Sequence, residues 1–401
     1  MIKVLHFNAS AHGGAALASE RIHAAVSEVG VSSALWTPTS SADRLGGRLR
    51  RVAGRQLTRV LRTENEIRHT PAFFSGPWGR SIQSARGGGV LHLHWIGNET
   101  LSVKQIGALK GPVIWTLHDM WAFCGAEHVA YDQRWREGYR HDNRPEHERG
   151  FDLNRWVWTR KLKHWKRPIQ IVAPSRWMAQ CVRDSALMKD WPVTHIPNPI
   201  DTKFWRPMPK QHAREHLGLP QDEKLILFGT FGETFAWHKG FDLLIEALEK
   251  LKEQLKGIQL LVLGQETSSS TSGNLPLDAY FCGQINDQTR LLLHYCAADV
   301  LVIPSRVDNL PNTGVEALAC GTPVVAFNTG GLSDIVEHGK TGYLARAFDT
   351  DDFANGIYRI LKNNAAEEFS TSARIKAIKE FSLPVVGAQY QLIYELAAKS
   401  K

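Results

Sequence analysis

Asp308 and Glu316 stand eight residues apart in VDNLPNTGVEALACGTPVVAFNTGG (residues 307–331), with asparagine, proline and glycine between them. Carboxylates so spaced either accept hydroxyl protons of a ligand or serve the chain itself. ADVLVIPS reads as a strand ending at Ser305, RVDNLPNT as a loop, and GVEALAC as a helix stopped by Gly321 and Pro323. Asp308 then lies at the strand's carboxyl end and Glu316 in the first helical turn. Two readings of Glu316 fit: it closes a capping box with Thr313 as N-cap three residues before it, or it binds a ligand. The two can coexist, because a helix start offers N–H groups to an anion whatever its cap does. On these residues alone both stay open. Lys239 in HKGFDLL opens another helix, where the dipole disfavours a cation; an anion in front of it is the better account.

The first half of the chain holds a second group. His118 and Asp119 end the strand GPVIWTL, where parallel α/β sheets place functional side chains; a histidine held by its neighbour is the competing reading. Gly13 and Gly14 follow the first strand and precede the first helix. Glycine there lets the backbone approach a phosphate or acceptor, or simply makes a tight turn. His92 and His94 in LHLHW share a strand face. No third ligand at helical or hairpin spacing accompanies them, which favours packed or lining residues over metal ligands.

These residues need strand ends to position them. KVLHF, GVLHLHWI, GPVIWTL, IQIVAPS and PVTHIP are short apolar runs, and KLILFGT, IQLLVLG, AYFCG, DVLVIPS and TPVVAF repeat the pattern. Helical stretches such as ALASERIHAAVSEVG, GFDLLIEALEKLKEQL and NDQTRLLLHYCAA lie between them. The alternation predicts right-handed βαβ units and parallel sheets covered on both faces. Proline-rich HIPNPIDTKFWRPMPKQ (195–211) interrupts it and marks a linker. The expected fold class is α/β with two Rossmann-like doubly wound domains, 1–197 and 198–380, followed by a helix over 381–401. Ligands of such sheets bind at the carboxyl ends of the strands, so a cleft between the domains is the expected site. A dinucleotide site is disfavoured, because NASAHGGAALA lacks G-x-G-x-x-G and VSSALWTP lacks a ribose-binding acid.

At 401 residues, with 43% hydrophobic and 22% charged residues, the chain suits two globular domains. Lys plus Arg exceeds Asp plus Glu by 48 − 40 = 8, which fits anionic partners. Arg44, Arg48, Arg50, Arg51, Arg55, Arg59 and Arg62 crowd RLGGRLRRVAGRQLTRVLR around a mostly apolar stripe. That pattern suits a helix on an anionic membrane surface or a solvated helix weakened by Gly46, Gly47 and Gly54. No nucleic-acid module accompanies it, so no nucleic-acid partner is expected. Five scattered cysteines without a C-x-x-C pair suit a reducing cytoplasm. No apolar run approaches the roughly 20 residues that span a bilayer.

The segment PSRVDNLPNTGVEALACGTPVVAFNTGGLSDIVEHGKTGYL resembles the donor-site signature of retaining GT-B glycosyltransferases of family 4. FNASAHGGAALASERIHAAVSEVG, LHLHWIG, WTLHDMWAFCG, VAPSRWMAQ, HIPNPIDTKFWRP and FGETFAWHKGFDLLIEAL resemble, in order, the subgroup that builds surface polysaccharide and lipopolysaccharide. The resemblance implies an N-terminal acceptor-binding domain, a C-terminal nucleotide-sugar-binding domain, and a final helix that crosses back to the first. Glu316 matches the acid that grips the ribose hydroxyls. Asp308 matches the acid near the donor sugar, here one methylene shorter than the usual Glu. Lys239 matches the lysine that neutralises the diphosphate. The family's glycine–arginine pair is absent: Thr230 follows Gly229 and no arginine precedes Lys239. Weight therefore shifts to Lys239 and to the N–H groups of Asn312, Thr313 and Gly314. His118 matches the histidine beside donor sugar and acceptor, and Gly13, Gly14 and Gly283 (in CGQINDQ) complete the expected donor site.

The implied reaction moves a sugar from a UDP- or GDP-sugar to a glycan or lipid-linked acceptor with retention. No D-x-D stands at a strand end (TDD at 350–352 opens a helix), so no metal and no cofactor is expected. A nucleotide-sugar 2-epimerase of the same fold and a non-catalytic nucleotide-sugar-binding relative are the alternatives. A metal-dependent phosphohydrolase built on His92, His94, His118 and Asp119 is more remote.

Overall fold

The computed structural model describes residues 2–37, 44–61, 68–76, 78–229, 237–264, 275–362 and 366–399. The chain divides into two compact units, residues 1–197 with 386–401, and residues 198–385. The first unit holds β1 (Lys3–Phe7), β2 (Ser32–Trp36), β3 (Val90–Leu93), β4 (Val113–Thr116), β5 (Gln170–Ala173) and β6 (Val193–His195). Their order is β2-β1-β3-β4-β5-β6. The second holds β7 (Lys224–Gly229), β8 (Ile258–Leu263), β9 (Ala279–Phe281), β10 (Val300–Ile303), β11 (Val324–Phe327) and β12 (Gly342–Ala345), in the order β12-β11-β10-β7-β8-β9. All ten neighbouring pairs are parallel. Each sheet therefore has one edge that collects every carboxyl end.

Every residue of β3, β4, β10 and β11 is buried, as continuous apolar runs require when helices cover both faces. The helices Gly14–Glu28, Phe241–Gln254 and Gln288–Ala297 occupy the stretches whose periodicity predicts them. Edge strand β12 (GYLA) escapes the apolar-run criterion because its middle residues are only half-buried. The proline-rich 195–211 segment does not behave as a free linker. Ile200 N–H donates to the Phe381 carbonyl at 2.7 Å, and Arg374 grips the carbonyls of Thr202 and Trp205, both at 2.7 Å. The last helix, Leu383–Lys399, joins the first unit from Val386 onward. It is tied there by buried Tyr394, whose hydroxyl meets His92 Nδ1 at 2.8 Å.

The charged stretch 133–152 is a built element. Arg134 is buried and binds Glu148 at 2.7 Å and Asp132 at 2.7 Å, a pairing that lets charge be buried at tolerable cost. The tryptophans of NRWVWTRKLKHWKRP are core: Trp165 is buried, and Trp156 and Trp158 pack on the same cluster.

Lys161, in the helix Leu153–His164, is fully buried beneath them. Its ammonium donates to the carbonyls of Trp121, Cys124 (3.0 Å) and Gly125 (2.7 Å). Three donors meet three acceptors, fixing the turn that follows β4. Burial pushes this group down to about 7 from 10.5, against the opposing pull of Cys124 and Glu127. The unfolded chain then binds more protons than the folded one between those two values, so stability rises as pH climbs from 7 toward 10. Thermal unfolding of wild type and Lys161→Met from pH 6 to 10 should show the wild type gaining on the variant with rising pH. A pH-independent difference would refute it.

Candidate functional site

In the second unit the site grows from the loop after β10. Asp308 Oδ2 accepts from Lys239 Nζ at 2.8 Å and from Ser305 Oγ at 3.3 Å, while Oδ1 accepts from the Asn309 N–H at 3.1 Å. The lysine is 27% and the aspartate 15% exposed, so the pair is partly desolvated yet reachable. The anion demanded by the position of Lys239 is thus, in this state, the chain's own Asp308. The Gly330–Gly331 pair explains the loop's shape. Gly331 N–H donates to the Asp308 carbonyl at 2.9 Å. A Cβ on Gly330 (φ +54°) would stand 2.2 Å from that same oxygen.

Lys239 ends a short 3-10 turn, Trp237–Lys239. Arg306 fastens this turn: its N–H donates to the His238 carbonyl at 2.8 Å and its guanidinium to the Trp237 carbonyl at 2.9 Å. It also grips Asp242 through two bonds of 2.7 and 2.6 Å. Thr230, where the family's arginine is expected nearby, lies outside the described residues.

The helix after this loop spans Asn312–Ala319 with Pro311 as N-cap and no side-chain cap. This overturns the capping-box reading. Thr313 is already inside the helix, and Glu316 belongs to the second turn. Glu316 is 2% exposed and accepts from Tyr295 Oη at 2.7 Å, across from the helix Gln288–Ala297. Of the three N–H groups expected to face an anion, that of Gly314 is taken by the Pro311 carbonyl at 3.1 Å. Gly314 serves packing instead, since a Cβ there would meet Ile335 at 2.8 Å and Ile303 at 3.1 Å. Gly283 follows β9 and accepts from the Gly264 N–H at 2.8 Å, at the same sheet edge.

In the first unit, Gly13 precedes the helix Gly14–Glu28 with φ +95° and open space beside it. His118 and Asp119 line a pocket with Trp95, Trp115, Trp121 and His128. Asp119 Oδ2 accepts from His128 Nδ1 at 2.6 Å and Trp95 Nε1 at 2.9 Å, and Oδ1 accepts from the Trp121 N–H at 3.0 Å. Burial works to raise its pKa, but the charge and hydrogen bond of His128, with the Trp121 N–H, hold it below the usual carboxylate value. Burial pushes His118 down to about 4, only partly offset by Asp119, so His118 is neutral at physiological pH. His92 and His94 do have a third imidazole beside them, His6 of β1. Sequence spacing hides it because parallel register, not local spacing, sets His6 opposite His92.

Residues 12–204 match the model of "Glycosyltransferase Family 4", and residues 209–378 that of "Glycosyl transferases group 1". The chain is a glycosyltransferase of the GT-B, family 4 type. The transferase is 26% identical over 321 residues to a phosphatidyl-myo-inositol mannosyltransferase of Mycobacterium leprae, covering 78% of this chain and 74% of the relative. It is 31% identical over 258 residues to a D-inositol 3-phosphate glycosyltransferase of Xylanimonas cellulosilytica, covering 58% of this chain and 60% of that one. Its fold matches sucrose-phosphate synthase from Thermosynechococcus elongatus (TM-score 0.69, 19% identity, 100% of both chains). It also matches Anabaena HepE solved with UDP and glucose (TM-score 0.65, 16% identity, 98% and 100% covered).

The glycosyltransferase thus brings Lys239 and Asp308 into contact, keeps Glu316 on the next helix, and carries His118 in the other unit. Arg306 is the residue that sequence reading passed over. Its only signal was a cation two positions before Asp308, and what it binds is 60 to 70 residues distant in the chain. In Gly330→Ala the loop must move away from the added methyl, carrying Asp308 with it. Sugar-transfer turnover should fall at least about tenfold, beyond the 1–3 kcal/mol of stability such strain costs. Turnover unchanged at a lowered unfolding midpoint would show that Gly330 serves stability alone.

Proposed function

We propose that this glycosyltransferase moves a sugar, with retention at the anomeric carbon, from a UDP- or GDP-sugar to a glycan or lipid-linked acceptor in cell-surface polysaccharide synthesis. The Lys239–Asp308 pair, 2.8 Å apart between a strand end and a helix start, carries the reading. Departure of the nucleoside diphosphate builds negative charge at the leaving oxygen and positive character on the sugar. Lys239 supplies a fixed cation for the first, and Asp308 an anion that binds sugar hydroxyls once Lys239 turns to the phosphates. Glu316 binds the ribose hydroxyls. Lys239 does the work that a divalent metal performs elsewhere, so the reaction is metal-independent. The attacking hydroxyl's proton passes to the departing phosphate, which calls for no enzyme nucleophile. The first unit binds the acceptor.

UDP and UDP-glucose in crystals of the HepE fold relative favour uridine over guanosine. The named inositol-phosphate and phosphatidylinositol relatives favour an acceptor that carries phosphate. Thermal-shift titration against UDP, GDP, ADP and TDP, with and without EDTA, tests the donor site. One nucleotide should stabilise the protein equally in both conditions. Glu316→Ala should weaken it by about 1.5–3 kcal/mol, roughly 10- to 100-fold. Lys239→Ala should lower turnover about 10²- to 10³-fold. Stabilisation that EDTA abolishes, or that Glu316→Ala leaves intact, would sink the assignment.

The helix Arg44–Leu61 supports a peripheral membrane role on the cytoplasmic face. Leu49, Val52 and Val60 are exposed among its arginines, the pattern of an interfacial helix; Arg62 lies outside the described residues. Among the described residues no helix is long and apolar enough to cross a membrane. Vesicles rich in anionic lipid should sediment the wild type, and Arg51→Gln/Arg55→Gln/Arg59→Gln should stay in solution. Equal binding of both proteins would rule the helix out as the contact.

A further inference from the structure

Three imidazoles form one hydrogen-bonded line in the first unit. His6 Nδ1 meets His94 Nε2 at 3.0 Å, and His94 Nδ1 meets His118 Nε2 at 3.2 Å. His6 and His94 are 0% and 1% exposed. Burial pushes His6 down to about 3 and His94 well below 6.5, so the line is uncharged at neutral pH. A neutral imidazole has one N–H and one lone pair. His94 spends both, so all three rings must point their protons in the same sense.

The far end selects the sense. His6 Nε2 is buried and has no hydrogen-bond partner among the described residues. One sense leaves an N–H there and the other a lone pair; an orphaned buried donor is the rarer burial. His6 therefore donates through Nδ1 to His94, and His94 donates through Nδ1 to His118 Nε2. The proton of His118 is then on Nδ1, the nitrogen for which no protein partner is found among the described residues.

We propose that His94 and His6 are positioning residues that lock His118 as its Nδ1–H tautomer, so that it offers a sugar hydroxyl or phosphate oxygen a neutral hydrogen-bond donor and not a base. The line is a lock and not a proton shuttle. A proton pushed along it would strand a cation on His6, where burial opposes charge and no acceptor waits. His92 is not part of the line. Its Nδ1 is bonded to Tyr394 Oη at 2.8 Å and its Nε2 to Thr116 Oγ1 at 2.7 Å. With both its nitrogens used, the grouping of His6, His92 and His94 within 4.8 Å is accounted for by hydrogen bonds. The lock stands on the first unit alone; its effect on sugar transfer rests on the proposed function.

Two-bond ¹H–¹⁵N correlation of the full chain, labelled in histidine, reads the tautomer directly. His118 signals are assigned as those lost in His118→Gln. The wild type should show His118 protonated on Nδ1 and bare on Nε2. His94→Leu should turn this into a mixture of tautomers and lower turnover about tenfold, with the donor KM unchanged. His94→Gln should restore both, because its amide can accept from His6 and donate to His118. A wild-type His118 protonated on Nε2, or present as a mixture, overturns the proposal even if His94→Leu does not fold. So does an unchanged His118 pattern in a folded His94→Leu, or one zinc per chain whose chelation shifts the His6 and His94 signals. Wild type that transfers no sugar would refute the proposed function and leave the ring-nitrogen result standing.

Discussion

The ion pair between Lys239 and Asp308 ties together two distant segments of the second unit. One is a turn leading into a helix, the other a loop leaving a strand, and 69 residues separate them. A lysine at a helix start is unfavourable without an anion, and an aspartate at a half-buried strand end is unfavourable without a cation. Each residue makes the other tolerable. The neighbouring contacts serve that pairing: Arg306 pins the lysine's turn, and the glycine pair lets the chain pass close behind the aspartate. In the proposed transfer, an arriving diphosphate would draw Lys239 away from Asp308 but would find it already partly desolvated.

The first unit solves a different problem, the burial of polar rings. His6, His92 and His94 are almost wholly inaccessible, yet nearly every nitrogen is bonded to another imidazole, a threonine or a tyrosine. Tyr390 and Tyr394 come from the last helix, nearly 300 residues after β3, so the C-terminus completes the sheet's polar interior. An unsatisfied buried polar group costs about 1–3 kcal/mol, which gives the chain's end a structural reason to return. Lys161 applies the same rule to a charge, with three carbonyls around one ammonium.

Much of this was legible in the residues. Apolar runs separated by amphipathic stretches dictate parallel sheets, because strands covered on both faces need continuous hydrophobicity and parallel strands need helical crossovers. Asp308 at a strand's carboxyl end and Lys239 at a helix start followed from the same local grammar. The reading failed where local grammar had a rival. Thr313 and Glu316 have capping-box spacing, but Pro311 starts the helix earlier, and Glu316 turns inward to Tyr295.

The sequence by itself determined which segments become strands and helices, and hence which residues stand at strand ends. Those facts depend on neighbours within a few positions. Only the tertiary structure decided partners: Lys239 with Asp308, Glu316 with Tyr295, His6 with His94, Arg306 with the turn at 237. Each pairing spans from about twenty to nearly ninety residues and rests on sheet order and strand register. A hydrogen bond is specific to a few tenths of an ångström, and no periodicity in a chain carries that information.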